Sequence, residues 1–273
     1  MKLDNDLSVL TGLAMLMVES RRGEPIPEGE SWRNDAQVLA NKLIRHVICV
    51  KALMSGVSVP IDENECFRFL DHASVKVLSR AALETHLVFC YIFNVPDEEL
   101  SKFRHMVWKL AGLCDRQRFV ASTKEGRDKI FEERPKIEKL VGQISNSDFF
   151  FSFSEKQRLQ IIKGNWKVDT SWSGIGQQHG FRKEYFDNMY NFLCSYSHSS
   201  YLSILQIGEA NSLEKQEMLA RAAVGFCVVI LAKFCHAYMT IFPQSRSVLD
   251  LHPDASLTLE AWNLTDEQMG AVF

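Results

Sequence analysis

The chain has 273 residues, of which 46% are hydrophobic and 24% charged, and its formal net charge is −3. A chain of this length buries enough surface to fold without disulfides or a structural metal. The small net charge excludes a protein that binds polyanions over its whole surface, so any contact with nucleic acid has to come from a local patch. The seven cysteines are scattered and no Cys-x-x-Cys motif occurs, which is typical of free thiols in a reducing compartment.

Apolar residues at helical spacing predict three helices in the first third of the chain. These helices cover about residues 7–21, 31–55 and 63–94. The second half of the third one, VKVLSRAALETHLVFCYIF, is apolar nearly all round and should therefore be central to the fold. Pro96 then interrupts the chain, and Asp97 is a suitable N-cap for the next helix.

The segment 102–139 is basic in a chain that is acidic overall. It carries eleven Lys or Arg against six Asp or Glu, a surplus of five positive charges. Residues 100–140 are predicted to form one long helix or two consecutive helices, with Pro135 at a kink or in a first turn. The charges indicate either a solvated helix face with ion pairs or a surface that faces a polyanion.

The second half of the chain begins with a less regular region. Residues 146–180 are predicted to contain one short helix and then a turn-rich loop with two tryptophans. The aromatic-rich segment 181–201 is predicted to be a helix ending in the polar run SYSHSS, with Tyr190, Cys194 and His198 on one face. A last long helix should extend from Ser212, its N-cap, to about residue 242.

These elements predict an all-α fold in one helical domain over residues 1–273. Two hydrophobic central helices, near 70–93 and 218–242, would be surrounded by amphipathic helices. The core would cover about residues 31–242, and the tail, 243–273, would hold at most one short helix, while no segment alternates long enough to indicate a sheet.

The sequence also predicts where the protein is found. The N-terminal apolar run lacks the basic flank of a signal peptide, and the most apolar stretch, 222–232, is too short to span a bilayer. We therefore expect a cytoplasmic protein with no membrane contact.

Candidate chemistry centres on Arg80 and Glu84, which stand one turn apart within an apolar helix. The sequence has no phosphate-binding glycine loop, zincin motif, EF-hand loop or nucleophile elbow, so we predict neither a cofactor nor a metal. A buried Arg is costly unless it is paired. The pair therefore either fixes helix packing, with Tyr190 donating a hydrogen bond, or orients Arg80 towards an anionic ligand beside His198.

The second interpretation gives the sharper functional hypothesis. A histidine can take or give a proton near neutral pH, and an arginine can stabilise the charge of a phosphorane-like transition state. Arg80 and His198 are thus the candidate active pair of a metal-independent ribonuclease, with Glu84, Tyr190 and Tyr196 as further site residues. The alternatives are a non-enzymatic interaction or regulatory module, in which the cluster is structural, and a small-ligand sensor with a pocket between helices.

Three segments carry a resemblance to a known group of proteins: VLSRAALETHLVFCYIF, TSWSGIGQQHG and YFDNMYNFLCSYSHSSYLSI. Their order and spacing, over roughly residues 40–240, resemble an uncharacterised bacterial all-helical family. That family has Arg-x3-Glu, Trp-Ser and Tyr-x3-Ser-x3-His signatures. Cys194 stands here where the last signature has Ser.

A second resemblance is to the HEPN superfamily, which comprises helical, often dimeric ribonucleases of toxin–antitoxin and anti-phage systems. Arg80 and His86 match its Arg-x4-6-His signature, with Ala81 in place of the usual polar residue. On a straight helix the two side chains lie about 120° apart, so they would converge only at a helix end or with a second subunit. The resemblance implies a homodimer with its active site at the interface, and a role in defence. We expect RNA, bound through the basic segment 102–139, a second copy of the chain and another protein as candidate partners.

Overall fold

A computed structural model describes residues 2–25 and 27–271, and it confirms the predicted all-α fold. The α-helices in chain order are α1 (Lys2–Glu19), α2 (Asn34–Leu53), α3 (His72–Phe93), α4 (Glu98–Gln117), α5 (Lys124–Ser145), α6 (Asp148–Phe151), α7 (Glu155–Ile162), α8 (Trp172–Gln178), α9 (Lys183–Ser197), α10 (Tyr201–Glu209), α11 (Leu213–Ile241), α12 (Ser247–Leu251), α13 (Pro253–Trp262) and α14 (Asp266–Gly270). Two strands, β1 (Val57–Pro60) and β2 (Cys66–Phe69), form an antiparallel hairpin, and 3-10 turns cover Ser31–Arg33 and Pro243–Arg246.

The chain forms two compact units. Unit 1 comprises the described residues up to Cys90 and from Trp172 onwards, and unit 2 comprises Tyr91–Ser171. The domain boundaries predicted from the sequence stay a prediction.

Helices α3 and α11 form the centre of unit 1, as the sequence predicted. Most residues of α11 from Ala220 to Met239 are buried, and the helix packs against α1, α2 and α13. The ring of Phe89 on α3 lies 5.2 Å from the ring of Phe234 on α11. Aromatic contacts of this kind contribute to stability beyond the area that they bury.

Helix α11 is also long and apolar enough, by length and composition, to cross a membrane. Its most apolar window has a mean hydropathy of 2.0, and the helix extends well beyond the short apolar stretch noted in the sequence. However, 72% of that window is buried inside the structure. Burial on all sides is the pattern of a helix at the centre of a folded core.

The third helix begins later than predicted, because residues 57–69 form the hairpin. Helix α3 starts at His72, and the expectation of a chain without strands is wrong at this point. Val59 and Phe67 pair across the hairpin, and Asp62 Oδ1 accepts two backbone N–H groups of the turn. An aspartate turn of this kind is a local sequence signal for the hairpin, and a search for apolar residues at helical spacing does not detect it.

The C-terminal tail holds more helix than predicted, since α12, α13 and α14 all lie beyond residue 243. Pro253 occupies the first turn of α13, and Thr265 forms a capping box with Gln268 at α14. Trp262 Nε1 donates a hydrogen bond of 2.9 Å to Asp6, which docks the tail on α1. Helix α13 includes the one short helix predicted in the tail, whereas α12 and α14, with five residues each, are too short for apolar periodicity to indicate them.

Unit 2 is built on α4 and α5, so the basic segment forms two consecutive helices. Its core consists of apolar side chains from α4, α5, α6 and α7: Phe103, Val107, Leu110, Leu140, Ile144, Phe150 and Ile161. Pro135 lies inside α5.

Several basic side chains of the segment 102–139 form ion pairs. Lys102 contacts Glu98 and Glu99 at 2.9 Å, and the exposed Arg118 contacts Asp115. Some of the positive surplus is therefore neutralised locally.

The pair between Arg116 and Glu133 should be the ion pair of this segment that matters most for stability. Their side chains meet at 2.7 Å, and that of Glu133 is only 4% exposed. We expect Arg116→Ala to lower the free energy of unfolding by about 1–3 kcal/mol, because it leaves a buried carboxylate without its partner. Urea unfolding measures the change. Arg118→Ala, which breaks an exposed pair, is the control, and an equal loss in both variants would contradict the prediction.

Candidate functional site: a polar seam between α3 and α9

Four polar side chains recur every fourth residue along α3: His72, Lys76, Arg80 and Glu84. Side chains four residues apart share a helix face, so these four form a continuous row. Each of them contacts side chains of the α9 segment. We call this row with its α9 partners the polar seam. Two of its members, His72 and Lys76, are residues that the sequence analysis missed.

The outer part of the seam brings together four of the predicted site residues. Arg80 Nε donates to Glu84 Oε1 at 2.9 Å, and the Tyr190 hydroxyl donates to the same oxygen at 3.1 Å. The guanidinium of Arg80 also lies 5.6 Å from the centre of the Tyr190 ring. Glu84 and Tyr190 thus hold Arg80 in one orientation, which leaves its outer nitrogens for other contacts.

His198 completes this group. Arg80 Nη1 lies 3.1 Å from His198 Nε2. An arginine can only donate hydrogen bonds, so Nε2 must accept, and the ring is then the neutral form with its proton on Nδ1. Within the described part of the chain, no hydrogen bond uses the remaining Nη2 of Arg80.

The backbone after α9 places His198 at the surface. His198 is the C-cap of α9, and Ser199 follows it in the left-handed region with φ 49°. The N–H of Ser200 reaches back to the carbonyl of Ser195 at 2.9 Å, which is the pattern of a Schellman cap. The chain therefore turns sharply between α9 and α10, and the imidazole projects from the turn.

Burial and nearby negative charge act in opposite directions on the pKa of Arg80 but in the same direction on the pKa of Tyr190. Burial alone would lower the pKa of Arg80, but the nearby Glu84, and to a smaller extent Cys194 and Tyr190, raise it above its usual value. Burial, together with Glu84, raises the pKa of Tyr190. Arg80 is thus a permanent cation, and Tyr190 is a neutral hydrogen-bond donor. The side chain of Arg80 is 18% exposed and His198 lies at the surface, so solvent reaches the group.

The inner part of the seam is a separate cluster around Lys76, which is fully buried. Its Nζ lies 3.2 Å from His72 Nδ1 and 3.8 Å from the centre of the Tyr196 ring, with Phe192 slightly further away. Burial lowers the pKa of Lys76 to about 7, and burial and Lys76 together lower the pKa of His72.

Tyr196 belongs to this inner cluster rather than to the Arg80 group. Its hydroxyl donates to Gln206 Oε1 of α10, and burial raises its pKa to about 12. The ring of Tyr196 covers Lys76, and the residue is 6% exposed. The structure therefore brings together Arg80, Glu84, Tyr190 and His198 in the outer part of the seam. It places Tyr196 in the inner part, beside Lys76.

His86 does not join either cluster. It is completely buried, beside Cys90 and against the ring of Phe181. Burial, with contributions from His179 and Lys233, lowers its pKa to about 3, so the imidazole is neutral. The pairing of Arg80 with His86 is absent among the described residues. Nor does this part of the chain contain a group of three or more His, Cys, Asp or Glu that could hold a metal ion.

The fold and the seam define an all-α protein with a paired arginine and histidine at the surface. The chain belongs to a family of unknown function, DUF5677, whose model matches residues 67–216, more than half of the sequence. This match covers the whole polar seam and α10, and it confirms the prediction of an uncharacterised family. The signatures ascribed to that family, and the HEPN resemblance, stay predictions. Comparison with curated proteins and with solved structures gave no match.

Proposed function

We propose that the Arg80–His198 pair cleaves RNA without a metal ion. The observation that supports this function is the 3.1 Å contact between Arg80 Nη1 and His198 Nε2, at a place that solvent reaches. One group can bind a phosphate and the other can accept a proton, and these are the two functions that transesterification of RNA requires.

The contact itself suggests how the base is activated. In the free protein the lone pair of His198 Nε2 is occupied by Arg80. A phosphate of the substrate binds the outer nitrogens of Arg80 in a charge-assisted, two-pronged contact. In this proposal the phosphate displaces His198 Nε2 from Nη1, so the base is freed only when a substrate is bound.

The reaction then follows from the two groups. His198 Nε2 removes the proton of the 2′-hydroxyl, the 2′-oxygen forms a bond to phosphorus, and the bond from phosphorus to the 5′-oxygen breaks. The imidazolium returns its proton to the departing 5′-oxygen, so the products are a 2′,3′-cyclic phosphate and a 5′-hydroxyl. Arg80, held by Glu84 and Tyr190, stabilises the negative charge that builds on the phosphoryl oxygens.

The proposal extends to the setting of the reaction. RNA would contact the exposed basic residues of segment 102–139, among them Lys109, Lys124 and Lys129. We propose a cytoplasmic, HEPN-like role in a bacterial defence or toxin-type system. The second candidate function, an interaction module, is favoured by a different feature, the exposed apolar helix α10.

The test is incubation of the purified protein with end-labelled RNA in the presence of EDTA. We expect cleavage that leaves 2′,3′-cyclic phosphate ends. An oligonucleotide of the same sequence with 2′-deoxy sugars is the matched control and should remain intact, because it lacks the nucleophile. Absence of cleavage, or cleavage of the deoxy control at the same rate, would rule out the proposed chemistry.

A further inference from the structure

Helix α10 has an inverted pattern of burial. Its inward side chains are the polar Ser203 and Gln206, whereas five large apolar residues are between 42% and 76% exposed: Tyr201, Leu202, Ile204, Leu205 and Ile207. A surface helix of a soluble monomer normally turns its apolar face inwards. The exposed face of α10 continues onto α11 through Leu213 and Met218, which are also exposed.

We propose that α10 is the surface through which two copies of this chain pair, with their α10 helices antiparallel. The exposed apolar residues of α10, with Leu213 and Met218, offer on the order of 800 Å², which is about what each partner contributes to a standard stable interface. Apolar patches larger than about 600 Å² are uncommon on monomers. The inference does not depend on the proposed cleavage of RNA.

The two ends of α10 differ, because one carries an exposed aromatic ring and the other a cavity. Tyr201, at the N-terminal end, is the most exposed of the large apolar side chains of the helix. A cavity of about 310 Å³ lies at the C-terminal end, lined by Gln206, Glu209, Ala210, Lys215, Met218 and Leu219. A two-fold axis through an antiparallel pair brings Tyr201 of each copy opposite the cavity of the other. Gly208, on the outward face, has open space where a Cβ would stand, so the helices can approach closely.

Charge also favours a second copy over a membrane surface. Glu209 is the only charged residue of α10, so pairing two such helices brings no row of like charges together. In the antiparallel arrangement Glu209 lies near the N-terminal end of the other helix, which has no side-chain cap and attracts negative charge. Helices that lie on membranes instead carry Lys or Arg along their polar face, and α10 has none.

The first test is the mass of the protein in solution, measured by light scattering after size exclusion. We expect wild type at twice the chain mass of 31.2 kDa, and Leu205→Glu at the chain mass. Leu251→Glu, which changes a leucine of α12 that is even more exposed than Leu205, is the control and should remain a dimer. A monomeric wild type, or a Leu205→Glu variant that stays dimeric, would overturn the proposal. If the monomeric wild type also binds phosphatidylcholine vesicles through α10, the exposed apolar face is a membrane surface instead.

The second test addresses the antiparallel arrangement. In a background with the exposed Cys49 and Cys66 replaced by Ser, one tagged copy carries Tyr201→Cys and a differently tagged copy carries Met218→Cys. We expect mild oxidation to join the two different copies. Two Tyr201→Cys copies should not be joined, because these residues lie at opposite ends of the interface. Efficient joining of two Tyr201→Cys copies would refute the antiparallel pairing.

Discussion

We expect His198→Ala to lower the rate of RNA cleavage by about 10²–10⁴-fold, because the variant lacks the general base. Arg80→Ala should lower it by about 10²–10³-fold, the usual effect of removing one group that stabilises transition-state charge. Arg80→Lys keeps the charge but loses the fork that contacts both phosphate and imidazole, so its rate should remain far below that of wild type. Cleavage of the labelled RNA in EDTA gives these rates.

Matched controls separate this role from an effect on folding. His252 and Arg22 are exposed residues of the same types, and His252→Ala and Arg22→Ala should cleave like wild type. Circular dichroism and thermal unfolding verify that each variant is folded. If His198→Ala and Arg80→Lys are folded and cleave as fast as the controls, the pair is not the active pair. In that case the outer seam serves helix packing, as the alternative prediction states.

The second large effect concerns Lys76 and is a rise of stability with pH. Burial lowers the pKa of Lys76 from its usual 10.5 to about 7 in the folded protein. Between these two values the unfolded chain binds a proton that the folded chain does not, so the free energy of unfolding rises with pH. Below about pH 7 the folded protein instead holds a charged amine in a buried site, and the free energy of unfolding is correspondingly lower. We expect wild type to gain about 2–4 kcal/mol over Lys76→Met between about pH 6 and about pH 10.

Urea unfolding of both proteins at the two pH values measures this gain. The comparison with Lys76→Met removes the contributions of groups whose pKa does not depend on Lys76, but not that of His72, whose pKa Lys76 helps to lower. Lys51→Met, at an exposed position of α2, is the control and should follow wild type at both pH values. A difference between wild type and Lys76→Met that is the same at both pH values would contradict the buried, low-pKa amine.

The outer part of the seam could be predicted because its residues break an apolar pattern. Arg80 and Glu84 interrupt a nearly continuous apolar helix, and Tyr190 and His198 share a face of another helix. Lys76 gives no such signal, since an isolated lysine is usually exposed. Its burial depends on the rings of Phe192 and Tyr196, which only the packing of α3 against α9 brings to it.

Two further differences from the sequence predictions concern the placement of Tyr196 and the presence of α10. The placement of Tyr196 away from Arg80 follows from its bond to Gln206 on α10, a helix that the sequence analysis did not predict. Helix α10 escaped prediction because its apolar residues face outwards, so its pattern does not resemble that of an amphipathic surface helix.

The most direct test of the central claim is ¹⁵N NMR of the His198 ring in the free protein and during a titration with inorganic phosphate. We predict a neutral ring with its proton on Nδ1 and an unprotonated Nε2 that accepts from Arg80. Phosphate should then shift the Nε2 resonance in wild type but not in Arg80→Ala. A proton on Nε2 in the free protein, or an Nε2 signal that phosphate leaves unchanged, would contradict the claim that Arg80 and His198 form a phosphate-activated pair.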